Sequence, residues 1–178
     1  VSVWPAFMLE SAVADRHWHH LFEDWPQFQL ALLDADERVI AAHNSAPLAW
    51  DGTDAGLPAG WEDQFERSVA GLGGGVAATT LGALQIVVAP DRQGSGLAGL
   101  MLSAMRASAI AHRLRAVVAC VRPTWKPRYP LTPIDRYASW TRADGLPFDP
   151  WIRLHVRAGG RIAHPSPRSM TISGSVAD

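Results

Sequence analysis

The 178-residue chain contains one cysteine, Cys120. That excludes an internal disulfide framework and makes a reducing compartment, the cytoplasm, the expectation. An excess of charge is also lacking. The formal net charge is -1, which gives no electrostatic case for a nucleic-acid partner or an anionic membrane surface. The longest apolar runs are too short for a transmembrane helix, and no signal peptide is expected. The histidine-rich stretch RHWHH places His17 and His20 three apart, but no cysteine and no H-E-x-x-H pattern supplies further ligands. No metal is expected there, only a solvated helix face. The glycine run Gly71 to Gly75 follows no strand and precedes no lysine, so it reads as a connector and not as a phosphate loop.

Hydrophobic residues make up 48% of the chain and charged residues 19%, the composition of a globular protein with a substantial core. A single domain over residues 1–178 is the expectation. Residues 11–25 carry Val13, Trp18, Leu21, Phe22 and Trp25 at mostly helical spacings, with Ser11 or Asp15 to cap the start. The runs FQLALLD and RVIAAHNSAPLAW, joined by a turn rich in aspartate, predict an antiparallel hairpin. Trp61, Phe65 and Val69 mark a short amphipathic helix, and TLGALQIVV a strand over Thr80 to Val88. Leu97, Leu100, Met101, Ala104, Met105 and Ser108 follow the period of a packed helix, and RAVVACV predicts a further buried strand with Cys120 inside it. Strand, glycine turn, helix and strand make a βαβ unit. PIDRYASWTRA predicts a short helix at Pro133, and PWIRLHVRAGG one that ends at Gly159 or Gly160. RIAHPSPRSMTISGSV predicts two last strands.

The stretch VVAPDRQGSGLAGLML sets the functional question. Gly94 and Gly96 stand between the strand and the helix. A helix N-terminus presents unpaired N–H groups and a positive dipole end, and glycine lets the backbone approach an anion with no Cβ in the way. A dinucleotide fold would add an acidic residue about 20 positions on. None occurs from Leu97 through Ile134, and no P-loop lysine is present. What remains is Gln93-x-x-Gly96-x-Ala98, preceded by Val88-x-Pro90.

This pattern resembles the acetyl-CoA pyrophosphate loop of the GNAT superfamily of N-acyltransferases, and the order of elements is similar. The fold that the resemblance implies is α/β (α+β): a mixed, mostly antiparallel sheet with a splayed central strand pair and flanking helices. The first strand and helix of that fold are expected upstream of Val1, with more chain beyond Asp178. The resemblance implies that the amides of Gln93, Gly94, Ser95, Gly96, Leu97 and Ala98 hold the pyrophosphate. It implies likewise that the backbone of Ile86 and Val88 pairs with the pantetheine. LHVRAGG, Leu154 to Gly160, matches the second-helix motif with His155 for the usual tyrosine and Gly160 for the phenylalanine. Residues 122–150 form a long inserted segment, similar to a branch of actinobacterial type also found fused to carbon–nitrogen hydrolases.

The implied chemistry is direct acyl transfer from acetyl-CoA, or another acyl-CoA, to a small-molecule amine, with a base for the amine proton and an acid for the thiolate. His155 is the candidate acid; a core or capping histidine is the competing reading. The strand before the loop has no carboxylate, and Gln85 is its one polar side chain between Leu81 and Val88. Asp135 is the candidate base, against a plain first-turn role, while Asp144 and Asp149 read as turn or cap residues. Trp125, Tyr137 and Trp140 either line an acceptor pocket or form the inserted segment's own small core. Cys120 reads as structural. A homodimer is expected by analogy alone. The alternative function is a non-catalytic acyl-CoA-binding or fusion-partner module.

Overall fold

The computed structural model describes residues 4–174. It divides into two compact units: one runs to Ala119 and resumes at Arg168, and the other is Cys120–Pro167.

In the first unit, α1 (Ala12–His17) and α2 (His20–Glu23) replace the single predicted helix, which breaks at Trp18 and His19. Ser11 caps α1, its hydroxyl accepting from the Ala14 amide at 3.3 Å. His17 is not on a solvated face as expected, since its ring packs edge-on against Phe65, with centroids 6.1 Å apart. Among the described residues no three His, Cys, Asp or Glu side chains could together hold a metal ion.

The hairpin forms as predicted from β1 (Gln29–Leu33) and β2 (Val39–Leu48), paired antiparallel. Asp34 makes the turn by accepting from the amides of Asp36 and Arg38 at 2.9 and 3.0 Å. Then come α3 (Trp61–Ala70), β3 (Thr80–Val88), α4 (Leu97–Ala111) and β4 (Ala116–Ala119). The sheet order is β1-β2-β3-β4, with β2 and β3 antiparallel and β3 and β4 parallel. The parallel pair with its helical crossover is the predicted βαβ unit. The core is built from Leu21, Trp25, Phe28, Phe65, Leu81, Met101, Leu102 and Met105, all buried.

Three further expectations fail. Leu100, expected on the packed face of α4, is 51% exposed; Leu102 and Ala109 are buried instead. β4 is half-buried throughout and ends at Ala119, so Cys120 lies beyond it and is half-buried too. The two last strands are absent from residues 161–174. Pro165 and Pro167 remove alternate ladder donors there. The chain instead returns to α3, where the Ser169 hydroxyl accepts from the Trp61 amide at 3.0 Å and the Glu62 carboxylate accepts from the Thr171 amide. The part of that prediction that falls on Ser175 and Val176 lies outside the described residues.

The second unit holds α5 (Ile134–Ala138), begun at Pro133, and α6 (Pro150–Arg157). Asp149 caps α6, and Gly159, at φ +89°, closes it. The amides of Gly159 and Gly160 donate to the carbonyls of Val156 and His155, both at 2.9 Å, the double bond of a Schellman end. A Cβ on Gly160 would stand 2.9 Å from the His155 carbonyl oxygen, which accounts for glycine at that position.

Candidate functional site

The loop between β3 and α4 turns through a 3-10 segment and two glycines into the start of the helix. Pro90–Arg92 make one 3-10 turn, and Gly94 and Gly96 take φ +79° and +88°. Those angles favour glycine, and nothing stands within 4 Å of where either Cβ would be. Gly96 occupies the N-cap position of α4 with no side-chain cap. Among the described residues no acceptor is found for the amides of Gly94, Gly96, Leu97 and Ala98. The Ser95 hydroxyl turns back to donate to the Arg92 carbonyl, and the Gln93 carboxamide donates to the Val88 carbonyl at 3.4 Å. Four unpaired N–H groups at the positive end of a 15-residue helix suit the negative oxygens of a phosphate or diphosphate.

β3 runs back from this loop with an edge that β4 leaves open past Ala83, where the Val88 carbonyl accepts from Gln93 Nε2. Its pairing with β4 covers only Thr80 to Ala83. On the other side it stays paired with β2 to Val88, and the Ala89 amide donates to the Ile40 carbonyl at 2.9 Å. Backbone groups of alternate residues face the same strand edge. Val87 and Ala89 therefore face β2, and Ile86 and Val88 turn their N–H and C=O to the edge that β4 leaves. An extended ligand with amide groups can pair there as an added strand does.

A bulge sits where the two strands part. Asn44 pairs with Gln85 and Ser45 with Ala83, so Leu84 has no partner. Helix α3 pins this bulge through two side chains: Trp61 Nε1 donates to the Leu84 carbonyl at 2.8 Å and Gln64 Nε2 to the Ala83 carbonyl at 2.9 Å. Neither role was foreseen from sequence, though Gln64 lies on the apolar face of α3 and is fully buried. Next to the bulge a ladder of carboxamides crosses the sheet. Gln85 Nε2 donates to Asn44 Oδ1 at 2.6 Å, and Asn44 Nδ2 donates to Gln29 Oε1 at 2.9 Å. In the sequence these are Gln29 at the start of β1, Asn44 between His43 and Ser45 in β2, and Gln85 in the apolar run of β3.

His43 is a buried group without a role in this arrangement. It is 1% exposed and neither ring nitrogen has a hydrogen-bond partner. Burial lowers its pKa to about 4, so the ring is neutral near pH 7.

In the second unit, His155 lies on α6 with its ring edge-on to Trp151, centroids 4.7 Å apart. Its Nε2 is buried without a partner, and burial lowers its pKa. Asp135 is exposed on α5 and makes no hydrogen bond or ion pair among the described residues. Trp125, Tyr137 and Trp140 do come together, through Phe148 and Tyr129. Tyr137 is 1% exposed, and its hydroxyl donates to Asp149 Oδ2 at 2.9 Å. It packs as a core residue of this unit. Asp144 makes a turn, accepting from the Leu146 amide.

No protein-family model matches the chain. Among solved structures, the chain superposes with a TM-score of 0.62 on the loading GNATL domain of CurA from Lyngbya majuscula, at 20% identity over 83% of this chain and 70% of that one. It superposes equally, at 0.62, on the GNAT-like decarboxylase GphF in complex with isobutyryl-CoA, at 22% identity over 87% of this chain and 74% of that one. The fold is GNAT-like. A curated relative of this GNAT-like chain is the arginine N-acetyltransferase avaD of Aspergillus versicolor, 33% identical over 189 aligned positions. The match takes in 97% of this chain and spans 64% of that protein's length.

Proposed function

We propose that this chain binds acetyl-CoA and transfers its acetyl group directly to the nitrogen of a small amine, with arginine as the acceptor. The cradle of Gly94, Gly96 and the unpaired first amides of α4 carries this reading. The edge of β3 that β4 leaves open at Ile86 and Val88 supports it, as does the 33% identity to an arginine N-acetyltransferase. The pyrophosphate lies on Gln93 to Ala98, and the pantetheine pairs with Ile86 and Val88. In the reaction the amine nitrogen bonds to the thioester carbonyl carbon and the carbon–sulfur bond breaks. The amine's proton goes to a carboxylate, for which Asp135 is the candidate, and the departing thiolate takes its proton from solvent while His155 donates a hydrogen bond to the sulfur. Burial keeps the His155 imidazole neutral, so its N–H serves as that donor, and its Nε2 has no other partner among the described residues. Trp125 and Trp140 are the candidates to contact the acceptor. The inserted segment at 122–150 belongs with the branch also found fused to carbon–nitrogen hydrolases.

The absence of any carboxylate from β3 favours a second reading, a module that binds acyl-CoA without turnover. Mass spectrometry of arginine incubated with acetyl-CoA and the protein separates the two. Acetylarginine is expected. With acetyl-CoA bound and no acetylarginine formed, the binding-module reading replaces the enzyme. Exchange of His155→Ala is expected to lower kcat at least tenfold and leave acetyl-CoA affinity unchanged. Unchanged kcat would remove His155 from the reaction.

A further inference from the structure

The carboxamide ladder has a direction, and the backbone fixes it. Gln29 Nε2 donates to two carbonyls, those of Trp25 at 2.8 Å and Ser45 at 2.9 Å. Neither carbonyl can be turned into a donor, so the amide nitrogen of Gln29 must stay there. Its oxygen must then accept, and it takes Asn44 Nδ2 at 2.9 Å with the Ser45 amide at 3.3 Å. Asn44 in turn presents Oδ1 to Gln85 Nε2. Gln85 is left with its oxygen as the open end of the chain. A flipped carboxamide at any rung would set two donors or two acceptors face to face in a half-buried site.

That open oxygen stands beside the Leu84 bulge, one residue from Ile86. In the present structure it accepts from the indole Nε1 of Trp4 at 2.8 Å. Trp4 lies outside every strand of the sheet and precedes the 3-10 turn Ala6–Leu9, whose Phe7 and Leu9 are exposed. An N–H from a single side chain on a short surface segment is the contact that an incoming N–H can most readily replace.

We infer that Gln85 Oε1 is the acceptor that binds an N–H of the amine substrate, and that the Trp4 indole holds this place when no amine is bound. The inference rests on the acyl-transfer reading above, because that reading leads the pantetheine along β3 from the loop to Ile86 and so brings the thioester toward Gln85. Gln85 is a positioning residue for the amine: it accepts a hydrogen bond and takes no proton. The ligand class is a nitrogen donor, an ammonium or guanidinium. A carboxylate or carbonyl group would meet a lone pair instead.

The test uses the full chain, acetyl-CoA and L-arginine, with acetyl-CoA affinity measured separately by calorimetry. Gln85→Met keeps the length and removes the acceptor. It is expected to raise the KM for arginine about tenfold and to leave acetyl-CoA affinity within about twofold. Trp4→Phe keeps an aromatic ring and removes the competing N–H, and is expected to lower the KM for arginine. Opposite shifts from two hydrogen-bonded partners are what a merely structural bond would not give, since losing it from either side would act alike. An unchanged arginine KM in Gln85→Met overturns the inference and leaves the acyl-transfer reading standing. So does a fall in acetyl-CoA affinity that matches the rise in KM, or a Trp4→Phe variant whose KM does not fall. A folded wild type that binds no acetyl-CoA, or binds it and acetylates no arginine, overturns the acyl-transfer reading and this inference together.

Discussion

Asp149 takes five hydrogen bonds on one carboxylate. Oδ1 accepts from the amides of Thr124, Trp151 and Ile152, and Oδ2 from the Trp125 amide and the Tyr137 hydroxyl. The residue is 1% exposed, so water offers no replacement. Burial, and then the bond to Asp149, push the Tyr137 hydroxyl far above the ordinary phenol range, so it remains a donor at any working pH. The cap half of this was legible in the sequence, since an aspartate before Pro150 and a helical pattern is a cap signal. The other three bonds were not, because Thr124, Trp125 and Tyr137 approach only through the folded chain. Asp149→Asn puts an NH2 against a donor whichever way it turns. It is expected to cost about 2–3 kcal/mol in urea unfolding, and Asp149→Ala about 4. A loss under about 0.5 kcal/mol would show that the cluster does not hold this unit.

At the scale of elements, the strand, glycine turn and helix from Thr80 to Ala111 were readable because each rests on local rules. Those rules are an apolar run for a strand between two layers, positive φ for glycine, and the 3.6-residue period. The period misplaced Leu100 because α4 covers the sheet with a stripe of Met101, Leu102, Met105 and Ala109, turned by about one residue from the predicted one. The bulge was not readable at all. It is a count of residues between two strands, and only the pairing of Asn44 with Gln85 and Ser45 with Ala83 reveals it. Trp61 and Gln64 make α3 its clamp. Gln64→Leu would remove the side-chain bond to the Ala83 carbonyl. It is expected to lower stability by about 1–2 kcal/mol and to weaken acetyl-CoA binding as the bulge loosens. Lost stability with unchanged binding would make α3 a packing element alone.

At the scale of the whole molecule, buried histidines set the response to acid. The folded state holds His43 neutral with a pKa of about 4, while the unfolded chain returns it to 6.5. Between those values the unfolded state binds a proton that the native state refuses, so stability is present in full above about pH 6.5 and is lost as pH falls toward 4. The shift corresponds to about 3 kcal/mol from this residue. His17 and His155 are shifted in the same direction by burial and add to it. Denaturant unfolding at pH 7 and pH 4.5 is expected to show this loss in the wild type and a much smaller one in His43→Leu. An equal loss in both would place the acid sensitivity elsewhere. The GNAT-like fold itself was legible from the order of elements, whereas the end of the chain was not. Arg168 to Thr171 return to α3 by contacts more than 100 residues apart in sequence, which no local pattern carries.

The most direct measurement is calorimetric titration with acetyl-CoA of the wild type and of Gly96→Val, whose branched side chain is strained at φ +88° and fills the open space above the α4 amides. Micromolar binding by the wild type, weakened at least tenfold in Gly96→Val, is the expected result. A folded wild type that binds no acetyl-CoA, or a variant that binds it equally well, would contradict the assignment of this loop as the acetyl-CoA cradle.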